Sequence, residues 1–426
     1  MIEIIAQKAV FGGDCIGKID GKTVFIGQNT YKIDKAADKT PHALYPSGAL
    51  PGETVEIDIV DSKKDYDKAV VTRVLKASKH RIPPFCPLYG RCGGCNFQYA
   101  DYAYQVELKK SIVEDIMQRS FGKDGIGFPP VHTVFGPDTE YRSRFQFYEG
   151  GLKERNSHTV VPLDDCPCAV KPLRTFLQNG LLKQSDFSKR VNVFADERLI
   201  DADFSRSGKK PADIHKVVCA SGNSSICTMK IAGKRIAFDV NGFFQSNMPM
   251  LEKTLSLISG GLCGERLLDM YGGTGILSLF AAAHFTSVTI VESDKRSVSF
   301  AKQNYRENGI QCALSVQVKR GRDWALEQIR RKNAAGRFDA VIIDPPRTGM
   351  EKEVTDYLCM HKPPLIRSLS CDPATHARDL KRLAQAGYTI EKLYMLDFYP
   401  HTSHIETLAF LNCTAKSAEK SGRSDI

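Results

Sequence analysis

Three short apolar runs in the C-terminal half each end on an acid: Arg266-Leu-Leu-Asp269, Ser287-Val-Thr-Ile-Val-Glu292 and Phe338-Asp-Ala-Val-Ile-Ile-Asp344. Helical patterns follow the first two runs, and strand–loop–helix alternation of this kind builds a parallel sheet with helices packed on it. Ligands of such sheets bind outside the carboxyl ends of the strands, where all three acids fall. The first run enters a glycine-rich turn, Met270-Tyr-Gly-Gly-Thr-Gly275, before a helix over about 276–284. Glu292 lies 23 residues beyond Asp269, the separation at which a strand-end carboxylate accepts both hydroxyls of a ribose. The order is Asp-x-x-Gly-Gly-x-Gly rather than the Gly-x-Gly-x-x-Gly that lets a backbone approach a pyrophosphate. An acid aimed from the strand end would repel phosphate, so a nucleoside with a cationic centre fits better. S-adenosylmethionine is such a ligand. Asp344 leaves its strand into Pro345-Pro346-Arg347, a rigid corner on the same rim.

A further run, Pro363-Pro-Leu-Ile-Arg367, reads as a strand, and 376–387 as a helix ending at Gly387. Between them stands Ser368-Leu-Ser-Cys371-Asp-Pro-Ala-Thr375. Cys371 therefore sits where a strand hands over to a helix, close to backbone N–H donors that can favour a thiolate. A lone cysteine is more often a buried structural thiol, so its neighbours must decide. The last strands carry Tyr399-Pro-His401-Thr-Ser-His404-Ile-Glu406, a polar cluster preceding Thr407-Leu-Ala-Phe-Leu411.

The N-terminal 77 residues show short β runs (2–10, 23–26, 54–60 and 68–75) separated by Gly12-Gly13, Asp20-Gly21 and Pro51-Gly52, the pattern of a small barrel. Their order resembles the TRAM domain, an OB-like RNA-binding barrel, with an insertion from Gly27 to Gly48. Cys86-Pro-Leu-Tyr-Gly-Arg-Cys92-Gly-Gly-Cys95 then places three thiols within ten residues, a metal-site signature whose spacing does not separate zinc from iron–sulfur. A fourth ligand must come from elsewhere, and Cys166-Pro-Cys168 is the obvious source. A helix is predicted over 102–119. Tyr141-Arg-Ser-Arg144-Phe-Gln-Phe147 alternates basic and apolar residues, so one face of a strand could meet phosphate. The β-rich pattern of 191–239 ends at Asn241-Gly-Phe-Phe-Gln-Ser-Asn247, and from Cys413 the chain reads as a disordered tail. The domains are thus expected at 1–77, 78–240 and 241–412, with the tail at 413–426. A net charge of +10 suits a polyanionic partner. Thirteen cysteines, no apolar run of membrane-spanning length and no signal-peptide pattern point to a reducing, cytoplasmic setting.

With these residues placed, the chain closely resembles the S-adenosylmethionine-dependent RNA uracil-5 methyltransferases. The likeness runs in order through the barrel, the cysteine cluster, Phe243-Phe-Gln-Ser-Asn247, the Asp269–Gly275 turn, Asp344-Pro-Pro-Arg347, Ser370-Cys371-Asp-Pro-Ala-Thr375 and His404-Ile-Glu406. It departs at Gly272, where the family often has cysteine, and at Ser246, where it has valine. The resemblance implies an α/β fold: a Rossmann-like class I methyltransferase domain behind the OB-like barrel and a β-rich domain holding a four-iron, four-sulfur cluster. It implies Cys371 as nucleophile and Glu406 as base. Gln245, Tyr271, Gly273, Gly275, Glu292, Asp323 and Asp344 would surround the cofactor, and Cys86, Cys92, Cys95 and Cys166 would hold the cluster. Phe243 or Phe244 could stack on an extruded base. The implied partner is RNA, 23S ribosomal RNA ahead of a transfer-RNA T-loop, with the protein a monomer. Methylation of an exocyclic amine would need no cysteine nucleophile, and a non-enzymatic RNA-binding metalloprotein would need neither Cys371 nor Glu406.

Overall fold

The computed structural model of the chain describes residues 2–28, 48–155, 157–184, 190–202, 216–220, 225–331 and 337–413. The first strands are β1 (Ile2–Ile5), β2 (Lys8–Ala9), β3 (Cys15–Ile19), β4 (Lys22–Gly27), β5 (Thr54–Ser62) and β6 (Tyr66–Lys76), in sheet order β1-β5-β6-β4-β3-β2. Because β1 and β2 are halves of one continuous segment, the order closes on itself as a small barrel. Alternation sends Val24, Ile26, Val55, Ile57, Ala69 and Val71 inward. Strand β3 was not legible in the sequence, because Gly17 breaks its apolar run. The glycine is required: a Cβ there would lie 2.7 Å from the Ile5 carbonyl oxygen and from Ile4 Cδ1. Most of the expected insertion, 29–47, lies outside the described residues, as does 414–426 of the expected tail.

Helix α1 (Tyr102–Phe121) is capped by Asp101, and it and β7 (Val131–Val134) lead into a middle region. There β8 (Arg144–Tyr148), β9 (Gly151–Lys153), β10 (Val160–Pro162), β11 (Arg190–Ala195) and β13 (Val217–Ala220) form one antiparallel sheet, ordered β10-β9-β8-β11-β13. Helices α2 (Lys171–Gln178) and α3 (Leu181–Gln184) lie between β10 and β11 in sequence, and Leu173, Phe176 and Leu182 join Phe145, Phe147 and Val191 in its core. Strands β12 (Leu199–Ala202), β14 (Ile226–Ile231) and β15 (Lys234–Asp239) make a three-stranded sheet.

The C-terminal part contains α4 (Met248–Ser259), β16 (Gly264–Met270), α5 (Ile276–Ala281), β17 (Phe285–Glu292), α6 (Lys295–Glu307), β18 (Ala313–Val318) and α7 (Gly321–Arg330). It continues with β19 (Ala340–Ile343), α8 (Lys352–His361), β20 (Leu365–Ser370), α9 (Pro373–Gln385), β21 (Thr389–Leu396) and β22 (Glu406–Asn412). Eight strands form one sheet in the order β18-β17-β16-β19-β20-β22-β21-β7. The run β18 to β20 is parallel, and β22 runs against both β20 and β21. Strand β18 escaped the sequence reading because this edge strand, Ala-Leu-Ser-Val-Gln-Val, has no continuous apolar run.

The expected boundary at residue 240 does not follow the packing. Strand β7 pairs in parallel with β21 at the sheet edge, and α1 lies beside α9. Met229, Ile236 and Phe238 of the three-stranded sheet share one core with Leu267, Val288 and Ile290. Cys413 also belongs to the fold rather than to a tail: it is buried, and its N–H bonds to the Pro364 carbonyl at 2.9 Å.

One buried ion pair joins α1 to the segment after β21. Lys109 Nζ lies 2.7 Å from Asp397 Oδ1, both side chains fully buried, with a second bond to the Tyr399 carbonyl at 3.0 Å. Tyr102 donates to the other oxygen of Asp397 at 2.9 Å. Truncating one partner of such a pair leaves the other charge buried and uncompensated. Lys109→Met should therefore cost about 3–5 kcal/mol of stability, read as a lowered urea midpoint.

Candidate active site

Strand register brings the two proposed reacting groups together. In the β20–β22 ladder Ser370 faces Thr407, so the next residue on one strand, Cys371, stands opposite the preceding residue on the other, Glu406. Ile343 faces Ser368 in the β19–β20 ladder, which puts Asp344 on the same rim. Cys371 immediately precedes Asp372, the cap of α9, whose Oδ1 accepts from the N–H groups of Ala374 and Thr375 at 2.9 Å each. The thiol thus lies near the positive end of a helix. Burial nevertheless pushes it up to about 11, with the carboxylates of Glu406 and Asp344 adding to the rise and Arg347 opposing it.

The acids are perturbed in the same sense. Burial raises Glu406 to about 8, helped by Asp344 and resisted by Arg347. Asp344 rises to about 7 by burial. Asp269 also rises to about 7, again chiefly by burial, with Ser278 hydrogen-bonded to it. The sequence reading aimed Asp269 at the ligand, but its side chain is fully buried beneath the turn. The acids that reach the rim are Glu292 and Asp344, both half-buried.

Glu292 braces the glycine turn, accepting from Gly273 N–H at 3.1 Å and from Asp294 N–H at 2.7 Å. Gly273 and Gly275 have φ of +54° and +73°, and a Cβ on Gly273 would meet nothing within 4 Å, so the turn presents bare backbone. Gly272 is confined differently: a Cβ there would lie 2.7 Å from Ile290 Cγ2 and 2.9 Å from Asp269 Cγ. Tyr271 adopts φ +62°, bonds through its hydroxyl to Glu351 and lies against Gly321 at the start of α7. Asp323, in the first turn of α7, is exposed. Gln245 is half-buried, and its buried Oε1 has no partner among the described residues. An orphaned acceptor, an open glycine turn and rim carboxylates fit a cationic nucleoside.

Several expectations change in detail. Phe244 is in the core, stacked on Phe238 with centroids 3.8 Å apart, so of the two phenylalanines only Phe243, 70% exposed, is free to meet a base. Arg142 and Arg144 are pinned: Arg142 lies over the Phe145 ring and bonds to the Arg144 carbonyl, and Arg144 bonds to the Gly242 carbonyl at 2.7 Å. No sequence signal singles out His376. It is buried in α9, and its ring nitrogens contact Thr407 Oγ1 at 2.7 Å and Ser368 Oγ at 3.1 Å. Burial depresses it to about 3, so a neutral ring ties the helix to both strands that carry the site.

Cys86, Cys92, Cys95, Cys166 and Cys168 line one small pocket with Phe145, Leu152 and Leu163. Cys95 Sγ and Cys168 Sγ are 3.8 Å apart. Among the described residues no three His, Cys, Asp or Glu side chains stand at metal-ligating geometry.

Comparison with known proteins fits this geometry. Residues 218–414 match the tRNA (uracil-5-)-methyltransferase family model. An uncharacterized RNA methyltransferase of Treponema denticola is 35% identical, the match covering 94% of this chain and 96% of its own. The 23S rRNA (uracil(1939)-C(5))-methyltransferase RlmD of Shewanella amazonensis is 30% identical over 88% of this chain and 91% of its own. The chain belongs to the RNA uracil-5 methyltransferase family. The crystal structure of Pyrococcus abyssi tRNA (uracil-54, C5)-methyltransferase with S-adenosyl-L-homocysteine has the same fold: TM-score 0.63 at 22% identity, over 96% of this chain and all of that one. The enzyme is thus an S-adenosylmethionine-dependent RNA methyltransferase of the class I fold.

The raised acids set the enzyme's pH response. The unfolded chain ionises such carboxyls near their usual 3.8 and 4.5, whereas the fold holds the protons of Asp269, Asp344 and Glu406 to about 7 or 8. Between those limits the native state binds more protons, so stability falls as pH rises. Urea unfolding of the ligand-free enzyme should give a lower stability at pH 8 than at pH 5. S-adenosylmethionine, with its sulfonium charge, should restore more at pH 8 than neutral S-adenosylhomocysteine does.

Proposed function

We propose that the enzyme methylates C5 of a uridine through a covalent adduct, with Cys371 as nucleophile and Glu406 as base. The observation that carries this reading is the β20–β22 register, which sets the two groups opposite each other on one rim. C5 of uracil is a weak nucleophile. When the Cys371 thiol gives up its proton to solvent and Sγ bonds to C6, the ring electrons move to an enolate; C5 then bonds to the methyl carbon as the S–CH3 bond breaks and S-adenosylhomocysteine leaves. S-adenosylmethionine supplies the methyl group as a sulfonium substituent. Glu406 then takes the proton from C5, the C5–C6 double bond re-forms and the C6–Sγ bond breaks. The cofactor would be held by Gln245, Tyr271, Gly273, Gly275, Glu292 and Asp344, with Asp323 at the edge. A stacked uridine cannot reach this rim, so the base must be extruded or presented by a loop, and the exposed Phe243 would stack on it.

Ribosomal RNA is the favoured substrate, supported by the similarity to the 23S rRNA enzyme along most of both chains. The small N-terminal barrel supports the same reading as a TRAM-like RNA-binding module. Glu406→Gln keeps the side chain's shape and removes the proton acceptor. It should accumulate a methylated enzyme–RNA complex that survives a denaturing gel, and Cys371→Ala should form none while still binding cofactor. Release of 5-methyluridine by Glu406→Gln at the wild-type rate, with no trapped complex, would show that another group is the base.

The thiol pocket supports a four-iron, four-sulfur cluster on Cys86, Cys92, Cys95 and Cys166. The donors are all sulfur, which suits iron–sulfur or zinc, and Phe145, Leu152 and Leu163 line the pocket beside them. When bound, the cluster would cross-link two loops, the one between β6 and α1 and the one between β10 and α2. Anaerobically purified enzyme should contain about four irons per chain. Cys166→Ser should lower that content more than Cys168→Ser; zinc without iron would refute the assignment.

A further inference from the structure

The segment delivering Glu406 is held almost wholly by residues distant in sequence. From Asp397 to His401 every residue is bonded by a group from 96–247. Lys109 and Tyr102 hold Asp397, Asn247 Nδ2 donates to the Phe398 carbonyl at 2.9 Å, Lys109 reaches the Tyr399 carbonyl, and Tyr141 donates to the Pro400 carbonyl at 3.0 Å. The His401 carbonyl accepts from the N–H groups of Asn96 and Phe97 at 2.8 and 2.9 Å. Gln105 closes on both sides of His401, accepting from its N–H at 3.0 Å and contacting Nδ1 at 3.1 Å.

The contact nearest the site in sequence is the most specific. Asn96 donates from Nδ2 to Ser403 Oγ at 2.9 Å and accepts from Ser403 N–H at 2.7 Å, a reciprocal pair three residues before Glu406. The barrel presses on the same point. A Cβ on Gly13 would lie 2.9 Å from Asn96 Nδ2 and 3.0 Å from Ser403 Cβ, so the loop has little room to shift there. His401 itself has φ +62°, a conformation costly for a side-chain-bearing residue unless surrounding bonds impose it.

We infer that Asn96 is a positioning residue for the general base: its paired bonds to Ser403 fix where Glu406 enters β22 and so where its carboxylate meets C5. The inference rests on Glu406 being the base. Cys371 follows a different strand, β20, at the start of α9, and its addition to C6 does not depend on this loop. Loosening the loop should therefore slow only the last step. Small misplacements of a catalytic group are costly in rate, so elimination should slow about tenfold in Asn96→Ala. The methyl-transfer burst should stay within about twofold of wild type.

The test measures, in single turnover with uridine-containing RNA, the fraction of label from methyl-labelled cofactor that is trapped as protein–RNA complex, with Glu406→Gln alongside. A raised trapped fraction in both variants supports the inference. A trapped complex in Glu406→Gln and a wild-type fraction in Asn96→Ala overturns it and leaves the base assignment standing. No trapped complex in Glu406→Gln overturns both. Asn96→Asp keeps the acceptor for Ser403 N–H and should fall between wild type and Asn96→Ala. Should Asn96→Ala fold poorly, Ser403→Ala loses only the Oγ bond and is judged by the same fraction.

Discussion

One strand running against its neighbours makes this site possible. In the parallel run from β18 to β20, only carboxyl ends reach the binding rim, so a parallel strand can place a residue there only as it leaves the sheet. Strand β22 lies antiparallel between β20 and β21, and its amino end arrives where the others finish. Glu406 is therefore the first residue of its strand, facing the position just after the last residue of β20. A thiol and a carboxyl group can then face each other from adjacent strands. The connection between β21 and β22 is longer than an antiparallel pair needs, and it is the segment gripped by residues 96–247.

The electrostatics follow from burying acids at and beneath this rim. Asp344 raises both Glu406 and Asp269, and all three rise mainly because they are buried. A site with this surplus of buried carboxyl groups favours a cation, which is the charge that a sulfonium brings. The Cys371 thiol is held protonated by the same surroundings.

Much of this architecture was legible because its signals are local. The acid-terminated apolar runs became β16, β17 and β19, and the strand-to-helix handover at Cys371 became β20 and α9. What escaped depended on distant partners. Strand β18 is half-exposed and interrupts its apolar residues with Ser315 and Gln317, and β3 contains a glycine whose reason is the crossing of Ile4 and Ile5. Alternation predicted the basic face of Arg142 and Arg144 correctly as a pattern but not as a surface, since both guanidinium groups are taken up by nearby carbonyls and a ring. Asp269 was read as pointing outward because strand-end position does not reveal which way a side chain turns. Nothing in the segment around Asn96 announces that it meets Ser403, more than three hundred residues away.

Gly272 carries a lesson about sequence history. In this chain the space that any side chain at 272 needs is occupied by Ile290 and Asp269. Substitution at this position is therefore conditional on its background. A lineage moving from glycine toward cysteine would have to shorten or re-orient residue 290 first, and one moving the other way could afterwards let a larger side chain settle there. The two positions should be inherited together, and grafting either one alone between relatives would carry a penalty that neither shows in its own background.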